Sequence, residues 1–199
     1  NDLIRGGQDA DTLNGDSGND RLVGDQSFDV IYGGSGRDWI DGSGGTDLIF
    51  GNGGNDILEG GTSADTIDGG AGRDSIAGED GDDVLVGGGS HDTISGDAGS
   101  DWIEAGKGND LVFGGDGNDT VSAAQGADTV SGGSGDDFVR GQGGGDLLVG
   151  DSGADTLDGN TGTDVLSGGL DDDLLIGDRA SDRVDVVTNG ATLLIEGSS

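Results

Sequence analysis

Asp2 opens a series that returns every nine residues as far as Asp182, in 21 of 21 steps, without insertion or deletion. The chain holds 37 Asp, so having 21 in a single phase is not the pattern of charge scattered for solubility. An ionised carboxylate only accepts hydrogen bonds and is a hard oxygen ligand. Carboxylates at a fixed interval, set among glycines whose carbonyl oxygens are uncovered, suit a hard divalent cation such as Ca²⁺, which takes six to eight oxygens. The candidate ligands are Asp11, Asp20, Asp29, Asp38, Asp47, Asp56, Asp65, Asp74, Asp83, Asp92, Asp101, Asp110, Asp119, Asp128, Asp137, Asp146, Asp155, Asp164 and Asp173.

Other positions hold the same phase. Two residues after each Asp stands Ile, Leu or Val, from Ile4 and Leu13 to Val184. Five residues before it, Gly fills 18 of 20 copies, Ala105 and Ala123 being the exceptions. Two residues before it, Gly fills 14 of 20, and four before it the residue is mostly Gly, Asp or Asn. The consensus is Gly-Gly-x-Gly-x-Asp-x-U-x with U aliphatic, and residues 33–41 match it fully.

The first six positions are turn material, because Gly takes positive φ without a Cβ penalty and Asn, Asp and Ser favour turns. The last three are strand material, with U on one side and its neighbours on the other. An aliphatic residue at every U, against mixed neighbours, places U inside. Two copies then close one coil of about 18 residues, and stacked coils make two narrow parallel sheets about 4.8 Å per step, a rod of about 50 Å. Copies two apart share a column, so Asp11 should lie near Asp29 and Asp20 near Asp38. Like charges at that spacing oppose folding unless a cation intervenes.

The nonapeptide resembles the RTX (repeats-in-toxin) family, whose repeat is a recognised solenoid signature. The likeness covers residues 2–185. It implies an all-β fold, a right-handed parallel β-roll (β-solenoid) with two nonapeptides per coil and Ca²⁺ between stacked turns, held by the Asp carboxylates and main-chain carbonyls. It also implies a secreted bacterial protein that leaves the cell by type I secretion and folds on extracellular calcium. One ion per stacked pair of turns gives about 18 ions, or about +36 against the formal net charge of −33.

Composition limits the alternatives. A chain that is 30% hydrophobic with a net charge of −33 has the composition of a disordered segment, so the phase alone argues for a fold. Eight Lys and Arg against 41 acidic residues argue against nucleic acid and anionic membranes as partners. No apolar run approaches the length of a membrane span, and no signal-peptide pattern opens the chain. Zero Cys removes disulfides and thiolate metal sites. Nothing suggests an enzyme: His91 is the only histidine, it sits in a turn, and no Gly-x-Ser-x-Gly elbow occurs. The Gly-x-Gly-x-x-Gly strings follow from the repeat, with no helix to hold a phosphate.

Irregularities set further expectations. Asp9, Ser27, Ser63, Ser90, Asp171 and Ala180 replace Gly two before the Asp, so those turns should bend differently or hold calcium weakly. The repeat array is expected over 1–185, with residues 186–199 as a degenerate cap in which Ala191 replaces the next Asp and Leu193 keeps the aliphatic phase. The start at Asn1 within a repeat suggests a piece of a longer chain with an open sheet edge. Val30, Tyr32, Leu48 and Phe50 should share an outer face with Val84, Val86, Trp102, Phe138, Leu174 and Ile176; Trp39, Ile57, Leu111 and Phe113 should share the other. Ordinary β propensity explains such residues, and so does contact with another roll or an absent domain of the parent chain. A weak 63-residue echo (48–50, 111–113, 174–176) would fall on alternate faces. A second functional reading is therefore a structural cell-surface protein (fibre, surface-layer component or adhesin stalk) assembling through calcium-loaded rolls. A third is a module appended to an enzyme or toxin.

Overall fold

The computed structural model describes residues 1–177, 183–185 and 192–195. The chain winds into a parallel β-solenoid. Strands alternate between two sheets: one of 11 strands beginning with Leu3–Gly7, Arg21–Gln26 and Trp39–Gly44, the other of 13 beginning with Thr12–Asn14, Val30–Ser35 and Leu48–Gly53. Every pairing is parallel and offset by two copies, as in Ile31↔Ile49 and Ile40↔Leu58. The all-β fold and the two-copy coil expected from the nonapeptide are both present. The register continues at Thr192–Ile195, where Leu193 pairs with Leu175. The remainder of the expected cap, and Asp182, lie outside the described residues.

The U residues from Leu13 to Leu175 form the core, nearly all with no exposed surface. They stack in single file, one per strand, so each copy contributes one aliphatic side chain. Burying it stabilises by about 1.5–3 kcal/mol.

The strands are longer than the three-residue x-U-x segment. Most span six residues, such as Thr66–Ala71 and Val84–Gly89, and run on through the glycines. The cause is the exactness of the stacking. Turns of equal length lie directly over one another, so their peptide groups pair from coil to coil as strand peptides do, with Gly88↔Gly106 and Ser43↔Gly61 in register. Three turns open this ladder, the first after Thr12–Asn14, where pairing resumes only at Ser17↔Ser35. Phe138–Arg140 and Thr156–Asp158 stop early, and pairing resumes only at Gly143–Gly144 and Thr161–Gly162.

The turns explain the choice of residue four before the Asp. That residue has positive φ in every copy from Gly7 to Gly169, whether Gly34 (105°), Asn52 (68°) or Asp97 (70°). Gly meets this at no steric cost, and Asn and Asp tolerate it best among the rest. Ser43, Glu79, Ala124 and Gln142 adopt it too, at φ of 68–76°. Two before the Asp, Gly36 and Gly54 lie at 124° and 152°, whereas Ser27, Ser63, Ser90 and Asp171 lie at 77–101°. The expectation that these substituted turns bend differently holds for those four.

Candidate metal centre

Each phased Asp ends a turn just before a strand, with its side chain folded back under the coil. Those from Asp20 to Asp173 are buried, with at most 4% of their surface exposed; Asp11 is half-buried. The expected neighbours do meet. Asp29 Oδ1 accepts the Asp11 N–H at 2.8 Å, and Asp38 Oδ1 accepts that of Asp20 at 2.8 Å. The same bond recurs along both columns, as in Asp74 Oδ1 with Asp56 N (2.8 Å) and Asp173 Oδ1 with Asp155 N (3.0 Å). The main-chain carbonyl of each phased Asp from Asp2 to Asp164 meanwhile accepts the N–H nineteen residues on, for example Leu48 N to Asp29 O at 2.9 Å.

The second carboxylate oxygen is different. From Asp20 to Asp155, every phased Oδ2 is buried without a hydrogen-bond partner. It lies against the glycine five residues earlier, which has no side chain to obstruct it. A Cβ added at Gly24 would stand 2.5 Å from Asp29 Oδ2 and 2.8 Å from the Gly42 carbonyl oxygen of the next coil. At Gly60 the distances are 2.7 Å to Asp65 Oδ2 and 2.7 Å to Gly78 O. Each turn with glycine at that position, all but those of Ala105 and Ala123, therefore holds a small cradle: a bare glycine Cα, an unpartnered carboxylate oxygen and a backbone carbonyl. Among the described residues no three His, Asp or Glu side chains converge to hold a metal. A cation here must draw on main-chain carbonyls, and two of the three elements of the cradle are oxygens. An all-oxygen lining with surplus negative charge fits a hard divalent cation.

Burial raises the pKa of the phased carboxyls from Asp29 to Asp155. Asp65, Asp74, Asp101 and Asp137 are pushed up to about 7, and Asp47, Asp56, Asp128 and Asp155 to about 6. Desolvation is the main cause in each case; the backbone N–H on Oδ1 opposes it, and repulsion from stacked carboxylates adds to it. The strain foreseen as like-charge repulsion is thus first a cost of desolvation.

Matches to one family's sequence model extend from residue 1 to residue 184: 1–31, 23–58, 50–85, 59–94, 86–121, 95–130, 113–148, 122–157 and 149–184. That family is the RTX calcium-binding nonapeptide repeat. The chain belongs to it. It is an RTX-type calcium-binding β-roll, and RTX repeats are structural rather than catalytic. No curated protein matches the chain. Among the described residues of this RTX roll, no helix is long and apolar enough to cross a membrane.

Sequence reasoning missed a second ladder in the RTX turns. The residue just before the phased Asp often accepts a main-chain N–H from the next coil. Asn19 Oδ1 takes that of Arg37 (3.0 Å), Asp82 Oδ1 that of Ser100 (2.8 Å), and Asn118 Oδ1 that of Asp136 (2.8 Å). His91, which the sequence left without a role, belongs here: its Nδ1 accepts the Asn109 N–H at 2.6 Å. The available signal was short acceptor side chains at that position, read across the copies.

Proposed function

We propose that this RTX roll is a calcium-driven folding module of a secreted bacterial protein. The chain stays unfolded where calcium is scarce, leaves the cell through a type I secretion system, and folds when it meets extracellular calcium. The phased aspartates from Asp11 to Asp173 would hold the ions through Oδ2, with glycine carbonyls of stacked turns completing the oxygen set. Bound calcium supplies positive charge to buried carboxylates and ties adjacent coils together.

One observation carries this reading: an unpartnered, buried Oδ2 in turn after turn. The neighbouring ladder does only hydrogen-bonding work, and it uses Asn, Asp, Ser and His interchangeably. The phased position uses Asp alone, although Asn would serve its Oδ1 bond equally well. The charge therefore answers a different need. Leaving a buried carboxylate ionised and unpaired costs several kcal/mol, more than the single aliphatic residue of the same copy returns. Whole domains are stable by only about 5–15 kcal/mol. The ionised roll thus cannot persist without a cation.

Small-angle scattering tests the switch. In chelator at pH 7.5 the chain should have the radius of gyration of an unfolded 199-residue chain, about 48 Å. Millimolar calcium should reduce it below about 20 Å, the value for a short rod. A compact rod in chelator at that pH would refute the proposal.

A second reading has its own support. Tyr32 and Phe50 stack on the outer face, with centroids 5.1 Å apart and planes 7° from parallel, and Val30 pairs with Leu48 beside them. Phe28, Trp102 and Phe113 are also exposed. Such apolar ladders suit lateral association of loaded rolls in a fibre or surface layer. Light scattering that climbs with calcium after folding is complete would favour this reading, and a loaded monomer would favour a passive module.

A further inference from the structure

The two columns of cradles are not equivalent. Turns that lead into the 13-stranded sheet carry Gly24, Gly42, Gly60, Gly78, Gly96 and so on to Gly168 before their aspartates, without exception. Turns that lead into the 11-stranded sheet carry Gly15 to Gly87, then Ala105 and Ala123, then Gly141 and Gly159. The alanines lie in Trp102–Lys107 and Thr120–Gln125, two strands paired directly with each other, and both are fully buried. Their methyl groups point into the roll at the place where the other coils have a bare Cα.

That place is already taken by carboxylate. In the same column, a Cβ at Gly33 would stand 2.7 Å from Asp38 Oδ2, and one at Gly69 would stand 2.8 Å from Asp74 Oδ2. Real Cβ atoms essentially never approach a neighbour so closely. The carboxylates of Asp110 and Asp128 keep the usual bond on Oδ1 and a buried, unpartnered Oδ2, so a methyl at residue 105 or 123 fills the space beside that oxygen which its counterparts leave open for an ion.

We infer that Asp110 and Asp128 form two consecutive impaired calcium positions, dividing one column of the roll into separate loaded runs while the opposite column continues unbroken. This rests on the calcium reading above. The longer run extends from Asp20 to Asp92, and the shorter begins at Asp146. Near Ala105 and Ala123 the coils are tied by calcium on one side only, which makes this the last part of the roll to fill and the first to empty.

Equilibrium dialysis against calcium, with circular dichroism on the same samples, tests the inference on the full chain. The A105G/A123G variant should bind about two more ions at a given sub-saturating calcium level and fold at lower calcium. As a second arm, D110N/D128N should lower the bound count and raise the folding midpoint by clearly less than the same change at two consensus turns. D74N/D92N, in the same column, should lose about two ions and raise the midpoint several-fold. The inference is overturned if the glycine variant changes neither quantity, or if D110N/D128N costs as much as D74N/D92N. A wild-type chain that binds no calcium overturns this inference and the parent reading together, whereas equal costs at all four aspartates overturn this inference alone.

Discussion

The two oxygens of each phased aspartate have separate tasks, and substitution separates them. In Asp74, Oδ1 receives the Asp56 N–H while Oδ2 lies unpartnered near the Gly87 carbonyl. Asp74→Asn retains the acceptor and replaces the charged oxygen with an amide donor. Asp74→Ala removes both and leaves the Asp56 N–H unsatisfied, at about 1–3 kcal/mol. At pH 7.5 both variants should need more calcium to fold. In chelator at pH 4.5, thermal melts should place Asp74→Asn near wild type and Asp74→Ala lower by that penalty. Equal behaviour of the two variants under both conditions would contradict the division of labour.

The acid condition is itself a prediction. Asp47, Asp56, Asp128 and Asp155 have folded pKa values of about 6, and Asp65, Asp74, Asp101 and Asp137 of about 7, against an ordinary value of 3.8. An acid whose pKa rises on folding binds protons more tightly when folded, so protonation stabilises the roll. The gain is complete below about pH 4 and is lost as pH rises through 6 to 7. Calcium-free chain should therefore gain β structure on acidification from pH 7.5 to 4.5, read by far-ultraviolet circular dichroism. Calcium affinity should fall over the same interval, because protons and calcium compete for one oxygen.

At the scale of the turn and strand, the limiting demand is positive φ four residues before each Asp. Ala124 meets it at 76° with a Cβ and no side-chain oxygen to compensate. The left-handed conformation costs a non-glycine residue about 1–2 kcal/mol, while glycine's added entropy costs about 0.5–1. Ala124→Gly should accordingly stabilise the calcium-loaded roll by about 0.5–1 kcal/mol, seen as a higher melting temperature. Strand interiors should respond the other way. Leu85 is fully buried in the single-file core, and Leu85→Ala should cost about 2–5 kcal/mol with no neighbour able to fill the space.

Much of this element level was legible beforehand. The phase of Asp and U alone defined the coil, the stacking partners and the inward face, because a strict repeat allows one register. The division of outer residues between faces followed from the same count, and Trp39 and Trp102 do fall on different sheets. Strand length was not legible, since glycine-rich turns have no strand propensity of their own and pair only because identical turns lie above and below. Nor was the split role of the carboxylate: a sequence gives the residue but not which oxygen faces a backbone N–H. His91 escaped notice because its partner, Asn109, lies eighteen residues away and donates through the main chain.

For the whole molecule, the thin core and the buried acid columns lead to one consequence. A fold with one aliphatic residue per copy and one buried carboxylate per copy is conditional on what neutralises that carboxylate. The most direct test is far-ultraviolet circular dichroism through a calcium titration of chelator-treated chain at pH 7.5, with magnesium as the control. Magnesium is smaller and holds its water more tightly, so a carbonyl-rich cradle should discriminate against it. The account predicts a cooperative change from coil to β structure near millimolar calcium and none with magnesium. Full β structure in chelator, or a chain that stays disordered at saturating calcium, would contradict it.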